Sequence, residues 1–380
     1  MVSGPVVPQR SEALAAKYRV GVIGHTGRGN YGHGLDTVWL AMPETQIVGV
    51  ADADEAGRGK AVQRLSAPHA FADYRELFDK TRPDIVSIGP RWLDQHRDIV
   101  VAAAERGIHM YLEKPLCRTL KEADQMVSIC TKHNAKLALA CQTRYSPVVQ
   151  VIRDLIHDGA IGKVLEFRGR GKEDRRGGGE DLWVLGTHIL NLMNTFGGDP
   201  NWCFATVRQD GVPVGRQHVK PGNEEVGLLA GDEICATYGL DDGVTGYFGS
   251  HRNVAGNPRR FALQILGSKG IIELTTGYLP DAVLLADSSW SPGRSGKSWA
   301  RISSNGVGKE ETIKDPKHNL GNITACRDLI DAIEQDRDPE CSIYEGRMIV
   351  EMIAGVFESH RQQSPVGLPL KTRENPLGLL

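Results

Sequence analysis

Between Tyr18 and Arg144 the chain alternates short β-branched runs with helix-like segments, five strand runs in succession. YRVGVIG (18–24), IVGVADAD (47–54), DIVSIGP (84–90), IHMYLEKP (108–115) and KLALACQTR (136–144) read as buried strands by length and composition. LDTVWLAM (35–42, stopped by Pro43), EAGRGKAVQRL (55–65), DIVVAAAERG (98–107) and LKEADQMVSICTKHN (120–134) read as helices between them. A strand followed by a crossover helix returns parallel. The alternation therefore predicts a doubly wound parallel sheet of the Rossmann kind, with helices on both faces.

The pattern changes near residue 145. VVQVIRDLIHDG is one amphipathic helix, and seven strand-like runs then follow with short turns, from VLEFRGRG to AVLLAD. Asp241-Asp242-Gly243 marks a hairpin between two of them. This half predicts an α+β domain with a large open, mostly antiparallel sheet. ITACRDLIDAIEQ and YEGRMIVEMIAGVFESH read as closing helices, and the Ser-, Gly- and Lys-rich stretch 288–310 as a mobile loop. At 380 residues the chain divides into an N-terminal arm (1–17), a first domain (18–145) and a second (146–380).

Composition narrows the function classes. A net charge of −2 with scattered basic residues argues against a nucleic-acid partner. No window reaches the roughly 18–20 apolar residues of a membrane span, and the arm carries no secretory pattern. Seven widely spaced cysteines without a CxxC pair suit neither a metal site nor a disulfide framework. Free thiols in a reducing cytoplasm fit better.

The stretch Gly24-His25-Thr26-Gly27-Arg28-Gly29-Asn30-Tyr31-Gly32-His33-Gly34 joins the first strand to the first expected helix. Gly27, Gly29 and Gly32 satisfy GxGxxG, a pattern that lets backbone approach a pyrophosphate at a helix N-terminus. Asp52 ends the second strand, where a carboxylate accepts from ribose hydroxyls and repels a 2′-phosphate, so NAD is favoured over NADP. Arg58 stands close by. Gly24, Thr26, Gly27, Arg28, Gly29, Asn30, Gly32 and Asp52 are thus the candidate cofactor contacts. The turn is three residues longer than usual, which leaves open which glycines meet phosphate. His33 and Asp36 are candidates for the crevice rather than the cofactor.

The fourth strand ends in Glu113-Lys114-Pro115, and strand carboxyl ends face the ligand crevice in such sheets. A lysine there suits proton transfer.

The run GPRWLDQHRDIVVAAAERGIHMYLEKPL resembles the glucose–fructose oxidoreductase/inositol dehydrogenase (Gfo/Idh/MocA) family. Pro90, His96, Gly107, His109, Glu113, Lys114 and Pro115 match its pattern. QTRYSP (142–147), DGAIGKVLEF and the C-terminal LIDAIEQ…GLPL stretch resemble later parts of it, so the likeness covers nearly the whole chain. The resemblance implies hydride transfer between a sugar or polyol carbinol carbon and a nicotinamide. It implies Lys114 as catalytic, Glu113 as a cofactor-ribose contact, and Pro90 and His96 as cofactor-side loop residues. It also implies a sheet that mediates oligomerisation, as a homodimer or homotetramer.

GGGEDLWVLGTHILNLM (177–193) resembles the family's second catalytic segment, with His188 as its histidine. Val184 stands where a D-x-x-x-H pattern has its acid. Either Asp181, two turns before His188 if helix extends that far, or Glu180 supplies the carboxylate, or none does. Thr187, Lys172, Arg175, Trp183, Arg144 and Tyr145 are further substrate candidates. All but Thr187 have a plainer alternative: a solvated charge run for Lys172 and Arg175, core packing for Trp183, the domain junction for Arg144 and Tyr145. The expected function is an NAD-dependent dehydrogenase of sugars or polyols. A glycoside-cleaving enzyme working by transient oxidation and a non-catalytic sugar or NAD sensor are the alternatives.

Overall fold

The computed structural model describes residues 17–380, so nearly all of the expected arm lies outside the described residues. β1 (Tyr18–Ile23), β2 (Thr45–Ala51), β3 (Ala70–Phe71), β4 (Ile85–Ile88), β5 (His109–Leu112) and β6 (Leu137–Leu139) form a parallel sheet in the order β3-β2-β1-β4-β5-β6. The order reverses between β1 and β4, and a ligand crevice opens at such a reversal. The five expected strands are all present. β3 has two residues, too few for a sequence pattern.

Helices α1 (Glu55–Leu65), α2 (Tyr74–Thr81), α3 (His96–Ala104) and α4 (Leu120–Lys132) cross between strands. Asp54, Asp73 and Thr119 cap three of them by accepting main-chain N–H bonds. α2 was not expected from the sequence. The helix expected over 35–42 does not form. Residues 31–37 are turns, and Val38–Ala41 make a single 3-10 turn. Gly32 and Gly34 hold φ of +68° and +82°, so the left-handed turn runs up to the start of the expected segment. The apolar pattern is still used: Leu35, Val38, Trp39 and Met42 are buried, with Trp39 edge-on to Tyr111 at 6.3 Å.

The second sheet follows α5 (Pro147–His157), whose Ser146 cap and first-turn proline fit a helix start. Its strands are β7 (Val164–Arg170), β8 (Trp202–Gln209), β9 (Val212–Pro213), β12 (Glu233–Gly239), β13 (Thr245–His251), β14 (Leu263–Gly267), β15 (Gly270–Leu274), β16 (Ala282–Leu285), β17 (Ala300–Ser303), β18 (Gly306–Val307) and β19 (Val366–Gly367). β10 (Lys220–Pro221) and β11 (Leu228–Leu229) pair apart from it. The order is β18-β17-β16-β15-β14-β7-β13-β12-β8-β19, with β9 on β8, and all pairs are antiparallel except β7 with β13. The Asp241-Asp242-Gly243 turn joins β12 to β13 as expected, with Asp242 and Gly243 at φ of 55° and 75°. The stretch 288–310 is not a bare loop. It carries α8 (Pro292–Ser295), β17 and β18, because 300–303 pairs with β16 and extends the sheet.

One face of this sheet is covered by α7 (Gly186–Gly197) and α10 (Ile343–Gln362). β8 shows the alternation plainly: Cys203, Ala205 and Val207 point to α10, while Phe204 faces out. α9 (Leu320–Gln335) and α10 also return to the first sheet. Asn322 of α9 accepts from Tyr111 Oη at 2.7 Å, and Leu139 N donates to Cys341 O at 2.8 Å. No helix among the described residues is long and apolar enough to cross a membrane.

Phe167 of β7 is 1% exposed and fills the space against Gly197 of α7. Truncating it leaves a cavity between sheet and helix. Phe167→Ala is expected to lower unfolding stability by about 3–5 kcal/mol, read from urea denaturation.

Candidate active site

The glycine-rich segment folds in two parts. His25 and Asn30 exchange main-chain hydrogen bonds at 2.9 and 3.0 Å, and Arg28 N donates to His25 O at 3.0 Å. Residues 25–30 are thus a tight hairpin, which absorbs the extra length seen in the sequence. Gly27 N donates to Asn30 Oδ1 at 3.1 Å, and Gly27 stands in open space at the tip. Gly24 lies against the Tyr31 ring, and Gly29 against the Arg91 backbone, too close for any side chain. Gly32 packs on the far side: a Cβ there would lie 2.7 Å from Glu113 Oε2 and Gly89 O. The expected helix N-terminus behind this loop is absent, so no helix end faces a phosphate here.

Asp52 is buried at the end of β2 and accepts from Thr26 Oγ1 at 2.7 Å, from Thr26 N at 3.1 Å and from Asp54 N at 3.0 Å. Gly24, His25, Asp52, Ala53 and Gln95 line a cleft of about 220 Å³. Arg58 donates to the Asp52 carbonyl at 2.6 Å. Arg28 stacks its guanidinium over Trp92 at 4.3 Å and pairs with Asp94 at 2.7 Å. Asp36 pairs with Arg64 and does not reach the crevice.

Pro90 and His96 do not line the crevice but shape it. The fully buried His96 ring sets Nε2 2.7 Å from Pro90 O and Nδ1 3.1 Å from Pro115 O and Leu116 O. It fastens the loop after β4 to the loop after β5. Glu113 and Lys114 stand on that second loop. Glu113 is 1% exposed and accepts from His33 N at 3.1 Å, His33 Nδ1 at 2.9 Å and Lys114 N at 3.1 Å. Burial pushes its carboxyl up, but the His33 hydrogen bonds and the Lys114 charge outweigh burial and hold it below the usual range. Its carboxylate faces His33. Lys114, 8% exposed, donates from Nζ to Val184 O at 2.9 Å.

A cavity of about 810 Å³ opens above these groups, lined by His33, Glu113, Lys114, Gln142, His188 and Lys317 among others. His188 comes from α7 and is half-buried, with its ring edge-on to Phe261 at 6.5 Å. Burial and the Lys114 ammonium push its imidazole down to about 3, so the ring is neutral.

The carboxylate expected beside His188 is not there. α6 (Gly179–Val184) ends at Leu185, where φ is −122°, and α7 starts afresh. The two-turn register between Asp181 and His188 is lost. Asp181 instead accepts from Ser250 Oγ at 2.6 Å and from Glu173 N at 3.1 Å, and burial pushes its carboxyl up. Glu180 accepts from Asn223 at 3.1 Å. At position 184 the main-chain carbonyl, not the side chain, serves the site.

Several other candidates lie away from the cavity. Trp183 is 3% exposed and belongs to the buried core. Arg144 bonds Glu340 at 3.3 Å and Asn194 and Thr195 at 3.1 Å, and Tyr145 Oη accepts from Cys341 N at 3.1 Å. Both hold the junction between the first sheet and the closing helices. Thr187 is 1% exposed and its hydroxyl makes no hydrogen bond. Lys172 lies 3.9 Å from Asp174, its ammonium pushed down by burial and by the charges of Arg176 and Arg259. Arg175 is exposed. The cavity also takes Gln142, Thr143, Lys317, His318 and Asn319, which the sequence did not single out. Residues 317–319 carry no motif and reach the cavity only because α9 returns to the first sheet.

Residues 18–141 match the oxidoreductase family with the NAD-binding Rossmann fold, Gfo/Idh/MocA, and residues 149–273 match the Gfo/Idh/MocA C-terminal domain. A levoglucosan dehydrogenase of Pseudarthrobacter phenanthrenivorans is 26% identical over 257 residues, 61% of this chain and 65% of that protein. A D-xylose 1-dehydrogenase [NADP(+)] of Haloarcula marismortui is 31% identical over 150 residues, 36% of this chain and 41% of that protein. The chain thus spans less than two thirds of the length of these curated relatives. In three dimensions it is similar to a levoglucosan dehydrogenase solved with NADH and levoglucosan, with a TM-score of 0.73 and 21% identity over 93% of this chain and 100% of that one. With both of its halves matched, the chain belongs to the Gfo/Idh/MocA family of oxidoreductases.

Proposed function

We propose that the protein is an NAD-dependent dehydrogenase that moves hydride between a secondary carbinol carbon of a sugar or polyol and the nicotinamide. The observation that carries this is the meeting of Lys114, from the end of β5, and His188, from α7, on one cavity beyond the carboxyl ends of β1, β5 and β6. The residues around β1 and β2 fit the cofactor. The cleft at Gly24 and Asp52 takes an adenosine, with Asp52 turned from Thr26 to the ribose hydroxyls. Bound NAD supplies the hydride acceptor. Lys114 acts as the free amine: Nζ takes the proton of the substrate hydroxyl while the carbinol hydrogen leaves as hydride to the nicotinamide, and the ammonium so formed donates to the Val184 carbonyl. The Val184 carbonyl fixes the Nζ position meanwhile. His188 stays neutral and orients the hydroxyl by a hydrogen bond. Such positioning supplies much of the rate of a hydride step.

The open face of the second sheet supports a homodimer or homotetramer, since Phe204 and Tyr247 stand there 40% and 42% exposed. All seven cysteines are free thiols, which supports a cytoplasmic place.

A panel of sugars and polyols screened for NADH formation tests the activity. On the substrate found, Lys114→Met is expected to lower kcat/KM by about 10²–10⁴-fold. Unchanged turnover in that variant would sink the assignment. Asp52→Ala is expected to raise KM for NAD by roughly tenfold or more and to narrow the preference over NADP, read by steady-state kinetics with both cofactors. The depressed His188 gives a pH signature. Between about 6.5 and about 3 the unfolded chain binds a proton that the folded imidazole does not, so stability falls as pH falls through that window. Urea denaturation at stepped pH should show a shallower acid loss in His188→Gln than in the parent.

A further inference from the structure

The cavity is rich in hydrogen-bond donors and short of free carboxylates. Two ammonium groups, Lys114 and Lys317, line it against a single carboxylate, Glu113. Glu113 already accepts three hydrogen bonds, from the His33 main chain, the His33 ring and Lys114 N. Position 184 lends a carbonyl, and that carbonyl is held by Lys114. Asp181 is turned to Ser250.

Lys317 is the charge left over. It lies exposed at the cavity wall, and no carboxylate among the described residues pairs with it. Asp315, two residues away, is spoken for: its carboxylate accepts from Asn319 N at 2.9 Å and Leu320 N at 3.3 Å. His318 follows Lys317 on the same wall and adds a further ring nitrogen. The uncharged acceptors of the wall, among them Gln142 Oε1 and Thr276, serve the hydroxyls of a sugar but leave the Lys317 charge unmatched. An anionic sugar presents acceptor oxygens, and those match this wall through charge-assisted bonds.

We infer that the substrate is an anionic sugar or polyol, whose carboxylate or phosphate-ester oxygens face Lys317 while its reacting hydroxyl faces Lys114. This rests on the dehydrogenase reading above and adds the substrate's charge to it.

Calorimetry on the NAD-loaded protein separates the two claims, because it reads binding without turnover. The probes are gluconate, galacturonate and glucose 6-phosphate, each against its uncharged counterpart: sorbitol, galactose and glucose. At least one anion is expected to bind about fivefold or more tighter than its counterpart at low ionic strength, with the gap closing as salt is raised. The carboxylate and phosphate arms show which anion the wall takes. Lys317→Gln is expected to erase the gap, and Lys317→Arg to keep it. Anions that bind no tighter than their counterparts, or a gap that survives Lys317→Gln, overturn the inference. Neither result touches the dehydrogenase reading, which stands or falls on NADH formation and its loss in Lys114→Met.

Discussion

Lys114 donates its Nζ hydrogen bond across the molecule, from the end of a first-sheet strand to a carbonyl at the end of α6. Much else is arranged so that this contact can exist. Lys114 is a cation held almost out of water, and such a charge persists only when neighbouring groups offset the loss of hydration. Glu113 supplies the opposite charge next door, and His33 keeps that carboxylate ionised by hydrogen bonding to it. His96 holds the backbone of both loops in place from beneath. The closing helices then bring the remaining walls, through Asn322 and the Cys341 carbonyl, so the cavity belongs to neither sheet alone.

Much of this was legible in the sequence, and unevenly so. The parallel sheet was, because its β-branched runs are buried on both faces and carry a strong signal. The pair Lys114 and His188 was also legible, since each sits in a recognisable local pattern. Asp181 was misplaced because its expected position rested on one unbroken helix, and a single non-helical residue at Leu185 shifts the angular register of everything before it. Trp183 took the plainer of its two readings, the core. Arg144 and Tyr145 illustrate a different limit. Their residue types suit sugar hydroxyls, but the choice between a ligand and Glu340 or Cys341 depends on where residues nearly 200 positions later return.

The first turn of the chain shows how a motif and its usual geometry come apart. The glycines were expected to serve a pyrophosphate at a helix end. Here they let a small hairpin and two left-handed turns pass close to Arg91, Gly89 and Glu113, with no helix behind them. The apolar residues that follow are buried as a helix would bury them, yet on a 3-10 turn. The same amphipathic pattern satisfied the core in a different backbone form.

The carbonyl at position 184 has one more effect. A side-chain acid in that place would gain and lose a proton with pH, and any substitution would delete it. A main-chain oxygen does neither. It is present whatever residue the chain places there, provided the residue packs, and it presents the same partial charge in acid and in base. The lysine is thus tethered by a part of the protein that single substitutions at Val184 cannot remove, and the freedom to vary that side chain is left to the core behind it.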